Sequence, residues 1–334
     1  MTYNYIPNLS EHEDSPVTIL KGKAYYPGCD EQGLYLIKSR HAGWGKVSHI
    51  EMVKKETWPL PNRIDLRYVT MDDGCCYALD TPIDDVRAEE LWQNEQQEHP
   101  DEPFKYFVVG AGPHGIVAVW LRSNKRAVLL QSFQAEIAQK DQEEEDRFGW
   151  INDMKMPGAM KKEEIERDMK QYCYRYVALE EYWDTESEWW KAYKDDDLYY
   201  DDLDIDSIED HRTDGTFDYF GGEEQLAFHT TAKPKRITVK WHAGKTEYFA
   251  HFWLDDHGMN VFFNMFYKAQ PEAKADFLLR LDPERQAYQL ALYTEGMEHE
   301  IIIPWHAYQL IVFRDKREHY RSANFTREEN AWNW

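Results

Sequence analysis

The sequence predicts an α+β fold, made mostly of antiparallel β-sheets from two similar β-β-α-β-β-β halves with a helical insertion between them. Three observations predict this class. Short runs of β-branched and aromatic residues, separated by turn residues, indicate strands along most of the chain. Each half contains one helical pattern. The element order recurs at an offset of 173 residues, which aligns Arg63 with Arg236 and Phe104 with Phe277.

The first half, residues 17–136, follows a polar segment, residues 1–16, that we expect to be loose. Alternation in RIDLRYVT and in CCYALDT, on either side of a DDG turn, predicts a hairpin. The segment DDVRAEELWQN predicts a helix with acidic residues at its start. Apolar runs between residues 104 and 133 then predict a β-meander.

The second half, residues 226–334, repeats this order. RITVKWH and TEYFAHFWL predict two strands that are joined by an AGK turn. GMNVFFNMFYKA predicts a helix. Three further strands are predicted in DFLLRLD, QAYQLALY and HEIIIP. The shared order indicates an internal duplication in which each half is one β-β-α-β-β-β unit.

The insertion, residues 137–225, has a helical part and an acidic part. Residues 161–194 are rich in helix-forming residues, and apolar side chains at three- or four-residue spacing predict one apolar helix face, formed by Ile165, Met169, Tyr172, Tyr176 and Leu179. Residues 195–210 are dense in carboxylates with interleaved Leu, Ile and Tyr. This segment is either a solvated acidic loop or a binding surface for a basic partner.

As a binding surface, the acidic segment combines negative charge with aromatic anchors. The residues predicted to contact the partner are Asp195, Asp196, Asp197, Tyr199, Tyr200, Asp201, Asp202, Asp204 and Asp206. A calcium loop that starts at Asp202 would have Ser207 in place of the turn glycine and Thr213 in place of the bidentate glutamate. The sequence therefore predicts no metal site here.

Composition limits the classes of partner. The 334 residues carry a formal charge of −23, which disfavours nucleic acid and anionic membranes as direct partners. Aromatic residues make up 15% of the chain, enough for a substantial core. The four cysteines form no C-x-x-C pair, which suits free thiols in a reducing compartment. No apolar run is long enough to span a membrane.

Residues 110–115 spell G-x-G-x-x-G directly after an apolar run. A dinucleotide-binding loop requires a helix next, with an acidic residue about 20 positions on. Here the run IVAVWL follows, which predicts a second strand. We therefore expect a Gly/Pro turn between antiparallel strands, no cofactor, and structural roles for Gly110, Gly112, Gly115 and Trp120.

The chain contains no G-x-S-x-G, H-E-x-x-H or P-loop motif, so we expect no catalytic residues, no enzyme activity and no metal. The alternative is a hydrolase whose site is built from His242, His251 and Asp255, with His257 close by in the sequence. A packed histidine on an aromatic strand is the simpler interpretation of each.

Two stretches resemble an uncharacterised bacterial family, catalogued as a domain of unknown function. They are YFVVGAGPHGIVAVWL with the following SFQAE, and the C-terminal IPWHAYQLIVFRDKREHYRSANFTREENAWNW. Family members typically carry a V-G-x-A-P-G-G-x-V-x-V-W-L loop and end in Y-R-S-x-N-[YF] followed by A-W-x-W. The resemblance runs from about Pro59 to Trp334. This chain departs from the family at residues 112–115, where A-P-G-G is usual.

The resemblance implies a function through gene context. Such genes often lie beside type VI secretion effectors, notably lipase-like toxins, which implies an immunity protein that binds a toxin and blocks it. The alternative is a scaffold or adaptor that holds an effector for secretion. Many members resemble lipoproteins, whereas the N-terminus MTYNYIPNLSEHEDSP lacks signal-peptide features, so we expect a cytoplasmic protein.

The C-terminal motif predicts a docked chain end. Trp332 and Trp334 would otherwise expose two large indoles, so we expect both to pack on the protein body. Arg321, Ser322 and Asn324 are expected to satisfy backbone groups in the irregular segment that precedes them.

Overall fold

The computed structural model describes residues 1–12, 15–29, 33–38, 43–47, 57–149, 161–180, 204–221, 227–243, 245–254, 256–282, 287–295, 297, 301–303, 305–314 and 316–321. Strands dominate these ranges, which also contain four α-helices, so the fold is α+β and mostly β-sheet. The chain forms two compact units. Unit 1 is Met1–Asp168 with Asp214–Phe217, and unit 2 is Met169–Thr213 with Asp218–Trp334.

Unit 1 contains ten strands and three helices within the described ranges. The strands are β1 (Ile6–Glu11), β2 (Val17–Tyr25), β3 (Leu34–Tyr35), β4 (Ile37–Lys38), β5 (Arg63–Thr70), β6 (Cys76–Pro82), β7 (Tyr106–Ala111), β8 (Ile116–Arg122), β9 (Ala127–Gln134) and β10 (Glu136–Ile137). The helices are α1 (Asp85–Glu98), α2 (Gln142–Phe148) and α3 (Lys162–Asp168).

These strands form two sheets. In sheet A the neighbours are β4-β1-β7-β8-β9, and in sheet B they are β10-β6-β5-β2-β3. The pairings of β1 with β4 and with β7 are parallel, and the other pairings in the two sheets are antiparallel. Alternate residues of both sheets meet in one core, together with Ala88 and Trp92 of α1. The Asp84 side chain caps α1 by accepting a hydrogen bond from the Arg87 amide.

The N-terminus is ordered, and the expectation that residues 1–16 are loose is wrong. β1 lies between β4 and β7 in sheet A, and Leu9 is fully buried. Asn8 and Ser10 are also fully buried, so a strand of polar composition lies inside the sheet rather than at its edge. A parallel strand of this kind is held by its neighbours in the sheet, which the local composition does not report.

The G-x-G-x-x-G segment joins two antiparallel strands, as expected. β7 ends at Ala111, residues Pro113–Gly115 form a short 3₁₀ turn, and β8 pairs with β7 along its length. Gly115 has a φ of 79°, a backbone conformation that favours glycine. The Tyr68 hydroxyl donates to the Gly112 carbonyl at 3.1 Å, which ties the turn to sheet B.

Unit 2 contains the remaining strands and one helix of the described ranges. The strands are β11 (Gln171–Glu180), β12 (Asp204–Arg212), β13 (Phe217–Gly221), β14 (His229–Ala232), β15 (Pro234–Ala243), β16 (Thr246–Leu254), β17 (Ala275–Asp282), β18 (Ala287–Tyr293), β19 (Ile301–Ile303), β20 (Trp305–Arg314) and β21 (Arg317–Arg321). The first residue of β13, Phe217, belongs to unit 1. The helix is α4 (Asp256–Ala269).

Two sheets and α4 share the core of unit 2. In sheet C the neighbours are β21-β20-β16-β15-β12, and in sheet D they are β14-β11-β17-β18-β19. β11 and β17 are parallel, and the other pairings within these two sheets are antiparallel. The core combines Trp241 and Phe252 of sheet C, Phe277 of sheet D, and Met259 and Phe263 of α4.

The predicted helical insertion is largely wrong for the residues that the structure describes. Residues 162–168 are helical, but the chain then forms β11, where Tyr172, Tyr174 and Tyr176 are all buried. Tyr172 and Tyr176 alone fit the spacing of four residues that is typical of a helix. With Tyr174 between them, the three tyrosines occupy every second position, which is the period of a strand. Pairing with β14 and β17 selects the strand.

We predict that Gly110→Ala destabilises unit 1 by about 1–3 kcal/mol, because it overfills a packed core. A methyl group at Gly110 would lie 2.5 Å from Cζ3 of Trp120. The indole is fully buried, and its Nε1 donates to the Asp214 carbonyl at 3.1 Å, so it cannot move aside easily. Urea denaturation of the purified variant measures the loss.

The matched control for this prediction is Gly221→Ala in β13. Its methyl group would lie 3.7 Å from the Asp206 carbonyl, which is an ordinary van der Waals distance. Equal denaturation midpoints for the Gly110 variant and wild type would show that the indole is not fixed.

Candidate functional site

Sheet C has one buried face and one partly buried polar face. Ile237, Val239 and Trp241 of β15 are fully buried in the core of unit 2. The residues that alternate with them are Arg236, Thr238, Lys240 and His242, and all four are only partly buried. Because successive strand residues point to opposite faces, these four share the side of the sheet that faces away from the core.

The register of the sheet places further polar and aromatic residues on the same side. The residues of β16 opposite those four are Trp253, His251, Phe249 and Glu247, all partly buried. Strand β12 contributes Glu209 and His211, and β20 contributes Phe313 opposite Glu247. We call this set, together with Asp206, the outer face of sheet C.

Four charged or titratable side chains form what we call the Asp206 cluster. Asp206 Oδ2 lies 2.6 Å from His242 Nδ1 and 3.9 Å from Lys240 Nζ. Glu247 Oε1 lies 2.5 Å from Lys240 Nζ and 3.9 Å from His242 Nε2. The ligand atoms of Asp206, His242 and Glu247 all lie within 4.8 Å of one another, a spacing that suits a metal ion.

A second group on the outer face centres on Glu209. Its carboxylate contacts His211, and its Oε1 lies 3.1 Å from Arg236 Nη2. Burial alone would raise the pKa of Glu209, but the hydrogen bond from His211 and the charges of His211 and Arg236 outweigh burial and lower that pKa to about 2. Glu209 is therefore a stable anion in the folded protein.

His251 lies beside this group. Its Nδ1 is 2.9 Å from the Thr238 hydroxyl oxygen. Burial, followed by the nearby charge of Arg236, lowers the pKa of His251 to about 4. The imidazole is therefore neutral at pH 7. It is also a weak base, and this argues against proton abstraction from Thr238, since an effective general base has a pKa near the working pH.

The two histidines of the predicted hydrolase site lie apart in the structure. His242 lies opposite Glu247 and His251 lies opposite Thr238, so the two histidines are four residues apart along the paired strands, about 13 Å. Asp255 lies outside the described residues, and His257 lies in α4. His242 contacts Asp206 and Glu247, a partnership that the sequence did not indicate.

Part of the acidic segment is a strand with a buried ion pair. Asp210 in β12 is fully buried, and its Oδ2 accepts hydrogen bonds from Arg212 Nε at 2.8 Å and from the Tyr174 hydroxyl at 3.3 Å. Arg212 Nη1 also donates to Asp218 at 2.8 Å. Burial raises the pKa of Asp210 against the opposing charge of Arg212. The expectation of a solvated loop extending to residue 210 is therefore wrong.

The structure places two of the predicted partner-binding residues. Asp204 begins β12 and is paired with His242, and Asp206 belongs to the Asp206 cluster. The remaining members lie outside the described residues, namely Asp195, Asp196, Asp197, Tyr199, Tyr200, Asp201 and Asp202.

The structure describes five of the nine residues that were predicted to have structural roles. Trp120 is fully buried, and a side chain at Gly110 or Gly112 would collide with Trp120 or Trp44. Among the described residues, Arg321 donates to the side chains of Glu318 and Gln309. Ser322, Asn324, Trp332 and Trp334 lie outside the described residues.

Sequence reasoning missed Lys240, Glu247, Glu209, His211 and Arg236. A signal was present, since polar residues in RITVKWH occupy every second position of a strand whose other positions are apolar. That period identifies a polar face. It does not identify which strands lie beside it, and those neighbours supply the acidic partners.

The fold and the site define a β-rich α+β protein with a polar and aromatic sheet face. A family model described as a protein of unknown function, DUF2931, matches residues 14–182. The match spans half of the 334 residues, so the chain belongs to the DUF2931 family. It includes the 110–115 turn and ends before the C-terminal motif.

No curated protein and no solved structure matched the chain. Among the described residues, no helix has both the length and the apolar character needed to cross a membrane.

We predict that acidification from pH 7 to pH 5 destabilises unit 2 in part through His251. Between the ordinary histidine pKa near 6.5 and the folded value of about 4, the unfolded chain binds a proton that the folded chain does not. Stability therefore falls with decreasing pH in this window, by up to about 1.4 kcal/mol per pH unit, and no further below pH 4.

Urea denaturation at pH 7 and pH 5 tests this prediction. His251→Asn keeps a hydrogen-bonding group near Thr238 and removes the titration, so its stability should depend less on pH than that of wild type. His99→Asn at the end of α1 is the control and should behave as wild type. A His251 variant with the full wild-type pH dependence would contradict the assignment.

Proposed function

We propose that this protein is an immunity-type binding protein that neutralises a cognate bacterial toxin by direct contact through the outer face of sheet C. One observation carries the proposal: partly buried aromatic rings and mutually paired charges share one regular sheet surface. Such a combination is typical of protein-binding surfaces, in which a few aromatic anchors supply most of the affinity.

The aromatic anchors on this face are Phe249, Trp253 and Phe313. Phe249 and Phe313 pack edge to face with ring centroids 5.5 Å apart, and the Lys240 ammonium lies 5.3 Å from the Phe249 ring centroid. Rings that are already held in place lose little conformational entropy when a partner covers them. Their positions on paired strands therefore favour a preformed binding surface.

The charges of this face are also oriented before binding. Arg236 is held by Glu209, and Lys240 is held by Glu247. Preoriented charges at an interface mainly increase the rate of association and select the partner, whereas buried aromatic groups contribute more to affinity.

The chemistry of the partner follows from the net charge. A chain with a formal charge of −23 attracts a basic protein surface and repels polyanions. The acidic segment that precedes Asp204 leads directly into β12 at the edge of the Asp206 cluster. We therefore keep Asp195–Asp197, Tyr199–Asp202, Asp204 and Asp206 as proposed partner contacts, with a basic toxin as the partner.

The toxin class comes from the family resemblance, which implies neighbouring type VI secretion effectors that resemble lipases. We propose the cytoplasm as the compartment, because all four cysteines carry free thiols. The lipoprotein-like members of the family make the periplasm the alternative. A scaffold that holds an effector for secretion is the competing function, and the activity of the bound effector separates the two.

We predict that Trp253→Ala or Phe249→Ala speeds dissociation of the toxin encoded by the neighbouring gene, by about 30-fold if the residue is a binding hot spot worth about 2 kcal/mol. Surface plasmon resonance measures the rate. Tyr35→Ala, an exposed tyrosine of β3 in unit 1, is the matched aromatic control and should leave it unchanged. Loss of binding in the Tyr35 variant alone would move the interface to unit 1.

The same experiment includes the acidic residues. Changing Asp201, Asp202, Asp204 and Asp206 together to Asn should slow association and reduce its dependence on salt. The reason is that charges at the rim of an interface mainly raise the association rate constant by electrostatic attraction, which salt screens. The activity of the toxin is then assayed with the binding protein in excess. A bound toxin that remains active supports a scaffold and contradicts neutralisation.

We also propose that the two halves, residues 17–136 and 226–334, arose by duplication of one β-β-α-β-β-β unit. The support is a shared pairing pattern. The hairpins β5-β6 and β15-β16 precede α1 and α4, and each helix is followed by three antiparallel strands. The first of those strands, β7 or β17, is parallel to an earlier strand, β1 or β11.

This proposal predicts that residues 62–133 and 236–313 superpose strand for strand in an experimental structure. Strand order, pairing direction and helix position should all correspond. Different pairing directions in the two segments would refute the duplication.

A further inference from the structure

The three acidic and imidazole groups of the Asp206 cluster come from three different strands. Asp206 lies in β12, His242 in β15 and Glu247 in β16, and the register sets His242 directly opposite Glu247. Their side chains are between 26% and 39% exposed, so a small ion can reach them from solvent. Paired strands provide a rigid base for such a set, which is what a defined ligand geometry requires.

A β-bulge directs Asp206 into this cluster. Ile205 pairs with Trp241 and Ser207 pairs with Lys240, so Asp206 is an extra residue without a partner in the register. The bulge lets Ile205 and Ile208 both remain in the core while Asp206 reaches the outer face. Bulges commonly re-aim a side chain next to functional sites, and this one delivers a carboxylate to an imidazole.

We propose that Asp206, His242 and Glu247 form a three-ligand site for a zinc ion. One imidazole nitrogen and two carboxylate oxygens suit zinc better than calcium or magnesium, which prefer oxygen ligands alone. A tetrahedral zinc ion keeps its ligands about 3.3 Å apart, and the ligand atoms here are already within 4.8 Å of one another. Small side-chain rotations complete the geometry.

Lys240 places a positive charge beside both carboxylates of the cluster. Its ammonium lies 2.5 Å from Glu247 Oε1 and 3.9 Å from Asp206 Oδ2, and its single positive charge offsets part of the negative charge of the two carboxylates. Zinc binding displaces this ammonium towards solvent, which the flexible lysine stem permits. Lys240 is therefore an internal competitor, and its removal strengthens the zinc site, whereas removal of a ligand weakens it.

Three protein ligands leave the fourth zinc position for water or for a side chain of a bound partner. This arrangement differs from a closed structural site, in which the protein supplies all four ligands. The inference concerns the ion alone and does not depend on the proposed function. It departs from the sequence prediction of no metal, because no contiguous motif brings these three residues together.

The test is isothermal titration of zinc chloride into the full chain. Wild type should bind one zinc ion. His242→Ala and Glu247→Gln should each weaken binding by at least about 10- to 100-fold, the loss that removing even an outer-shell partner causes. Lys240→Met should tighten binding. Glu318→Gln in β21 and His99→Gln at the end of α1, which alter a carboxylate and an imidazole outside the Asp206 cluster, are the matched controls and should bind as wild type.

Thermal denaturation with and without zinc gives an independent measurement. Zinc should raise the melting temperature of wild type and of Lys240→Met, and it should raise that of Glu247→Gln much less at the same zinc concentration, since stabilisation follows affinity for the folded state. Glu247→Gln preserves side-chain shape, so it tests the site even if His242→Ala fails to fold. Unchanged affinity in Glu247→Gln, or weaker binding in Lys240→Met, would overturn the proposal.

Discussion

The pairing of β15 with β16 sets both the core and the candidate site of unit 2. Its register runs from Arg236 opposite Trp253 to Ala243 opposite Thr246. Each hydrogen-bonded step places one apolar pair in the core and the next, polar or aromatic pair on the outer face of sheet C. A slip of one residue would bury Lys240 and expose Trp241, at a large cost in free energy. The apolar burial therefore fixes the positions of the charges.

The outer face combines partnered charges with groups that remain accessible. Glu209 and Arg236 pair near one end of the strands, with His211 beside them, and Lys240 offsets part of the charge of Asp206 and Glu247 near the other. A half-buried charge is tolerated only with such compensation, because desolvation is costly. The same compensation keeps the residues oriented. A preorganised surface of this kind can receive a partner or an ion with little rearrangement.

Unit 1 shows how tertiary context decides the meaning of a motif. Gly110 and Gly112 are required because the indole rings of Trp120 and Trp44 lie where their side chains would be. Gly115 is required by its positive φ. These constraints come from packing and backbone conformation and not from a phosphate, although the sequence motif is that of a dinucleotide-binding loop. Close packing against aromatic rings and a tight turn select the same residue type that a nucleotide would select.

The sequence by itself determined most local elements. The hairpins β5-β6 and β15-β16, the helices α1 and α4, and the strands after each helix follow from periodicity and turn residues. It also determined that one side of β15 is polar. These features depend on neighbours within a few residues, and such neighbours are visible in a local pattern.

Only the tertiary structure decided that polar β1 lies inside a sheet and that Tyr172–Tyr176 form a strand. It also decided that a bulge turns Asp206 towards His242. Each depends on pairing between segments far apart in the chain. Asp206 and Glu247 are 41 residues apart, and their proximity arises because β15 lies between their strands. The local sequence of a strand does not specify which other strand will pair with it, because the backbone groups that form the hydrogen bonds are the same in every strand.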